Sequence, residues 1–166
     1  MVTDLARHVE RPVILPLSNP TDRSEAAPAD LLQWTDGRAL VATGSPFDPV
    51  NMGGRTFQIG QCNNMFIFPG VGLGVIISEA ARVPDALFLA AASALSEMAP
   101  ARSDPSGALY PGVHDVRLVA RHVALAVARE AQHAGVAPFI APEALQARLD
   151  ATMWRPVYPH IRHVPA

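Results

Sequence analysis

Two short, almost unbroken apolar runs, Val13-Ile14-Leu15-Pro16-Leu17 and Ala39-Leu40-Val41-Ala42-Thr43, set the strongest limit on what this chain can fold into. Such runs fit strands covered on both faces, as in a parallel sheet flanked by helices. Pro16 is awkward there, because proline removes a ladder donor and belongs at an edge or a strand end. Between the runs, Pro28 to Trp34 reads as a short helix with proline in its first turn, closed by Asp36-Gly37. Strand, helix and strand in that order suit a right-handed crossover. Two strands do not make a self-sufficient sheet. The chain therefore reads as a piece of a larger α/β fold.

The remainder is mostly helical in pattern. Val2 to Val9 reads as the end of a helix, and residues 44–64 as a long functional loop rich in Gly, Pro and Asn. Pro69 to Ala81 keeps a helical pattern despite Gly70, Gly72 and Gly74, each costing about 1 kcal/mol relative to alanine in a helix interior. Close approach of their backbone to another element is the expected return. Pro84 to Met98 places Leu87, Ala91, Ala94 and Leu95 on one stripe, and Ala99 to Gly112 is a Pro/Ser/Gly linker. Asp115 to Gly135 is the clearest amphipathic helix, with Val116, Val119, Val123 and Val127 inward and Gly135 as its cap. Pro142 to Met153 forms a last helix before a tail rich in Arg, His, Tyr and Pro.

Composition narrows the chemistry. All 13 basic residues are arginine, so a Schiff-base lysine, a phosphate-binding lysine and a lysine general base are excluded within this chain. A net charge of −2 carries no cationic excess of the kind nucleic acid requires. The longest apolar run, Met65 to Ile77, is too short and too glycine-rich to span a membrane, and no targeting segment is visible. A soluble cytoplasmic protein is expected. The single cysteine, Cys62, excludes an internal disulfide and a multi-cysteine zinc site.

Most candidate motifs fail on spacing. Gly70-Val71-Gly72-Leu73-Gly74 lacks the third glycine of a dinucleotide fingerprint, since Val75 occupies that position. Gly44-Ser45-Pro46-Phe47 is no nucleophile elbow, because Phe47 stands where the second glycine belongs. Cys62 has no histidine near it in sequence and reads as a small packed residue. His8, His114, His122, His133, His160 and His163 form no metalloprotease pair; His114, Arg117, Arg121 and Arg129 mark a solvated helix face. Asp22, Glu25, Asp30, Asp36 and Asp48 are scattered through loops and helix starts, where aspartate commonly caps. Three asparagines stand out. Asn19 lies where a strand stops, the end at which open α/β sheets bind ligands, and Asn63-Asn64 closes the long loop. A carboxamide can read a carboxylate, a hydroxyl or another carboxamide. Each also fits a plain turn, and the residues alone leave both readings open.

Four segments carry a family resemblance. Ser18-Asn19-Pro20-Thr21 at the end of the first run is similar to the SNPT segment of the malic enzymes. Trp34-Thr35-Asp36-Gly37-Arg38-Ala39 resembles their WTEGRA segment. Gly44-Ser45-Pro46-Phe47-Asp48-Pro49-Val50 resembles GSPFxPV, and Gly60-Gln61-Cys62-Asn63-Asn64-Met65-Phe66-Ile67-Phe68-Pro69-Gly70 resembles GQxNNxYIFPG. Their order and spacing are kept, and a looser likeness, nearest the bacterial NAD-dependent form, continues to the tail.

The resemblance implies the C-terminal portion of a Rossmann-like NAD-binding domain over residues 1–112, then a C-terminal helical segment over 113–166. It implies oxidative decarboxylation of malate to pyruvate and carbon dioxide, with NAD and a Mg or Mn ion, in a homo-oligomeric complete enzyme. Asn19 would contact malate and the nicotinamide, Asn63 the malate carboxylate, and Asn64 the substrate or the nicotinamide carboxamide. Phe66 departs from the family's tyrosine and lacks its hydroxyl. The catalytic tyrosine and lysine, the metal carboxylates, the glycine-rich loop and the residue that reads the ribose all lie upstream of the SNPT segment in the family. No catalytic residue and no metal ligand is therefore assigned here, and the chain alone is expected to be inactive. The alternative is a non-catalytic module that pairs with a separate chain through its uncovered sheet edge.

Overall fold

The computed structural model describes residues 1–158; residues 159–166, with His160 and His163, lie outside the described residues. Helix α1 (Val2–His8) leads into strand β1 (Val13–Ile14), helix α2 (Pro28–Trp34) and strand β2 (Leu40–Thr43). Strands β1 and β2 pair in parallel, Val13 with Leu40 and Ile14 with Val41, as the crossover order requires. Arg38, just before β2, donates to the carbonyls of Ala6 (3.0 Å) and Glu10 (3.0 Å), satisfying acceptors at the end of α1.

Three expectations need correction. The first apolar run is not a buried five-residue strand. Only Val13 and Ile14 pair, Pro16 ends the ladder, and Val13, Leu15 and Leu17 are 52%, 40% and 44% exposed, so β1 is an edge strand. Residues 44–64 are not an open loop. They contain a hairpin, β3 (Val50–Met52) and β4 (Arg55–Phe57), joined by Gly53-Gly54, both at positive φ as the two-residue primed turn demands. They also contain β5 (Gly60–Gln61), which pairs in parallel with β2 and makes a three-stranded sheet in the order β1-β2-β5.

The helices follow the pattern closely: α3 (Phe68–Ser78), α4 (Asp85–Glu97), α5 (Val116–His133) and α6 (Pro142–Thr152). Helix α5 is the hub. Val119, Val123 and Val127 are fully buried in one core with Phe66, Val71, Leu87 and Ala91, so that core crosses from α3 and α4 into α5. A Cβ at Gly70 would come within 2.6 Å of Val123, and one at Gly74 within 2.7 Å of the Ala124 carbonyl, which is the close approach expected of them. Gly72 is the third correction: it faces open space. Leu145 and Leu149 of α6 close a second core against Ile77, Ala124 and Ala128. Arg121 pairs with Asp150 (2.6 Å) and Arg148 with Glu79 (2.5 Å), fastening α6 at the rim. No helix among the described residues is long and apolar enough to cross a membrane.

Candidate functional site

All three strands of the parallel sheet end on the same side, and hydrogen bonds knit those ends together. Beyond β1 the chain runs through Leu17, Ser18 and Asn19; beyond β2 it runs through Gly44 and Ser45; beyond β5 it reaches Cys62, Asn63 and Asn64. Gly44 N–H donates to the Pro16 carbonyl (3.0 Å), Cys62 N–H to the Thr43 carbonyl (2.8 Å), and the Gln61 carboxamide to the Gly44 carbonyl (3.1 Å). A side chain at Gly44 would overlap the Leu17 carbonyl, so glycine is what lets the ends of β1 and β2 converge.

Each loop holds a polar side chain in place. The Ser45 hydroxyl donates to Asn19 Oδ1, and the buried Thr43 hydroxyl donates to the Ser45 carbonyl (2.7 Å). On the other flank, Ser18 Oγ donates to Glu25 (2.6 Å), and that bond holds the Glu25 carboxyl below its ordinary range. Asn63 Oδ1 accepts from Met65 N–H (3.0 Å) and caps a 3-10 turn over Asn64–Phe66. The turn role uses the oxygen of Asn63 and not its amide N–H groups.

Asn63 and Asn64 line a cavity of about 470 Å³ with Cys62, Tyr110, Leu95 and, from the first apolar run, Val13 and Leu15. Asn19 is not one of its lining residues. It lies at the same end of the sheet, joined to that wall through Ser45, Gly44 and Gln61. The Cys62 thiol donates to Tyr110 Oη (3.1 Å). Burial is the main cause that pushes the Tyr110 hydroxyl up to about 12. The cavity wall thus offers amide, hydroxyl and thiol groups, and among the described residues neither a carboxylate nor an imidazole lines it. Such a wall binds and orients a ligand; it does not supply a general base. Phe66, where a tyrosine was expected by resemblance, is 1% exposed and its ring centroid is 6.0 Å from that of Tyr110. A hydroxyl there would need its own buried partner, which phenylalanine avoids.

Sequence reasoning missed Ser45, Gln61 and Tyr110. Ser45 was visible only as a failed nucleophile motif, and Tyr110, in the linker, carries no local signal of its contact with Cys62. Among the described residues no group of three or more His, Cys, Asp or Glu side chains is arranged to hold a metal ion.

The model of the malic enzyme NAD-binding domain matches residues 1–132. The chain belongs to the malic enzyme family. It is 49% identical over 158 residues to the NAD-dependent malic enzyme of Sodalis glossinidius, which covers 95% of this chain and 28% of that one. It is 46% identical to the NAD-dependent malic enzyme of Acinetobacter baylyi over 165 residues, 99% of this chain and 29% of that one. Among solved structures, the malic enzyme from Pyrococcus horikoshii superimposes with a TM-score of 0.61 at 25% identity, over 84% of this chain and 28% of that one. The Entamoeba histolytica malic enzyme, at 23% identity and a TM-score of 0.62, shares the fold. The chain thus spans under a third of the length of the malic enzymes it matches, and residues 1–132 of it match their NAD-binding domain.

Proposed function

We propose that this chain forms one wall of the malate and nicotinamide pocket of an NAD-dependent malic enzyme, whose remaining parts carry the chemical step. What supports this reading is that Asn19 follows β1 and Asn63 and Asn64 follow β5, at the carboxyl end of one parallel sheet, and that Asn63 and Asn64 line one cavity. Open α/β sheets bind ligands at that end. Asn63 takes the malate carboxylate, Asn64 the substrate or the nicotinamide carboxamide, and Asn19 both malate and the nicotinamide. Their amide donors suit NAD, and bound NAD supplies the acceptor for the hydride that leaves malate.

The described residues do not fit the Mg or Mn ion of the complete reaction, because no cluster of ligating side chains is present among them. No step is assigned through that ion here. With no lysine in the chain, proton abstraction likewise falls to groups outside it. The division of the chain at residue 112, the homo-oligomeric assembly and the cytoplasmic setting belong to the same proposal. A non-catalytic module pairing with a separate chain is the second reading, and the uncovered edge of β1 is what favours it.

Two measurements test the pocket. The purified chain with malate, NAD and Mn²⁺ is expected to form no NADH; turnover by the chain alone would overturn the division of labour. Titration of the ¹⁵N-labelled chain with malate and NAD is expected to shift the signals of Asn19, Asn63 and Asn64. Unmoved signals at all three would end the pocket reading, and co-purification with a chain bearing the missing lysine would then favour the second.

A further inference from the structure

We propose that Ser45 is a positioning residue: its hydroxyl holds the Asn19 carboxamide by the oxygen, leaving the amide donor to face the ligand. The inference rests on the pocket proposed above and deepens it by naming what sets the polarity of the site and which ligand chemistry that polarity selects.

Three observations meet at this contact. Ser45 is 8% exposed and Asn19 is exposed, so the bond runs from the protein interior outward to a side chain at the surface of the site. The Ser45 backbone is itself clamped, because the fully buried Thr43 donates to its carbonyl and its neighbour Gly44 is bonded to both adjacent strand ends. A hydroxyl on so fixed a backbone has little freedom to follow Asn19; Asn19 follows it. The third observation comes from the other loop. Asn63 has its oxygen tied back in the same sense, by Met65 N–H, and a backbone N–H can only donate, so the free group of Asn63 is its amide.

Both asparagines therefore spend their acceptor on the protein and keep their donors for the ligand. Two such donors at one end of the sheet select an acceptor, and a carboxylate oxygen is the strongest acceptor an organic acid offers. Loss of the Ser45 hydroxyl frees the Asn19 carboxamide to turn its oxygen outward, where it repels a carboxylate. Threonine at 45 retains the hydroxyl.

The test uses the full ¹⁵N-labelled chain, with the Asn19 side-chain signal assigned by Asn19→Asp. In the unsubstituted protein the Asn19 amide group is expected to be as ordered as the backbone of α5, whereas exposed Gln33 serves as the mobile reference. Ser45→Ala is expected to bring Asn19 to the mobility of Gln33 and to weaken malate binding about fivefold, the scale of one lost hydrogen bond. Ser45→Thr is expected to preserve both. Malate, but not its diamide, is expected to shift the Asn19 and Asn63 amides. A mobile Asn19 in the unsubstituted protein overturns the inference without reference to any variant. An ordered Asn19 that ignores Ser45→Ala overturns it as well. An Asn19 whose order depends on Ser45, in a chain that malate leaves untouched, supports the positioning role and refutes the pocket.

Discussion

The helical half and the sheet half of this chain are finished to different degrees. In the helical half, α5 buries Val119, Val123, Val127 and Ala131 completely, α3 approaches it through Gly70 and Gly74, and α6 seals the far side. Each helix finds its partners within the chain. In the sheet half a separate core does form, from Leu31, Leu32, Val41 and Phe57, but it covers β2 and leaves β1 at the edge. Two cavities flank β1 and the residues just after it, one of about 650 Å³ lined by Ile14, Leu15 and Pro16, the other of about 470 Å³ lined by Val13 and Leu15. Parallel strands are ordinarily covered on both faces. The lesson is that apolar sequence records where a strand is meant to be buried, while exposure records whether the covering elements are present.

Paired substitutions, one in each half, break or sharpen that contrast. The largest effect is expected from Leu87→Ala, which empties a fully buried site and is expected to cost about 3 kcal/mol. Its counterpart Leu15→Ala, just beyond β1 and 40% exposed, is expected to change stability by less than about 1 kcal/mol. Urea unfolding followed by far-ultraviolet circular dichroism compares them, and equal costs would mean that β1 is as well covered as α4.

The glycines of α3 come next. Gly74→Ala sets a methyl against the Ala124 carbonyl and Val127, and is expected to destabilise by about 2 kcal/mol after the helix-propensity gain is counted. Gly72→Ala meets nothing within 4 Å and is expected to stabilise by up to about 1 kcal/mol. Thermal unfolding should therefore move in opposite directions for two substitutions separated by half a turn. Movement in the same direction would sink the packing account of α3.

The smallest effects concern charge. Asp150 in the helical half is held below its ordinary range, chiefly by the Arg121 hydrogen bond and then by Gln146; Glu25 in the sheet half is held down chiefly by Ser18. A carboxyl depressed by folding adds stability above its unfolded value, and that stability fades as pH falls through its folded value. Both contributions are therefore present at neutral pH and fade below about pH 4, the ordinary carboxylate range. Carboxyl carbon titration by NMR is expected to show Arg121→Gln raising Asp150 alone and Ser18→Ala raising Glu25 alone. A shift of both by either change would mean that the halves are electrostatically joined.

Much of the helical half was legible because its signals are local. The i, i+3, i+7 valines of α5, the proline starts of α2 and α6, and Gly135 at φ 65° sit where capping and periodicity put them. The sheet half was less legible because strands depend on partners far away in sequence. Strand β5 is two residues long and exists through its pairing with Ala42 and Thr43. The hairpin was readable in principle: Gly53-Gly54 between Val50-Asn51-Met52 and Arg55-Thr56-Phe57 is a turn signal that the surrounding Gly and Pro obscured. In the candidate site, the strand-end asparagines could be singled out by residue type and position. Ser45 could not, because its meaning comes from a chain segment 26 residues away.

Cys62 is the single sulfhydryl of the sequence, and it stands in the cavity wall beside Asn63 with its hydrogen engaged by Tyr110. An alkylating reagent therefore has one address in this molecule. The speed of labelling there becomes a clock for how often the phenol lets go.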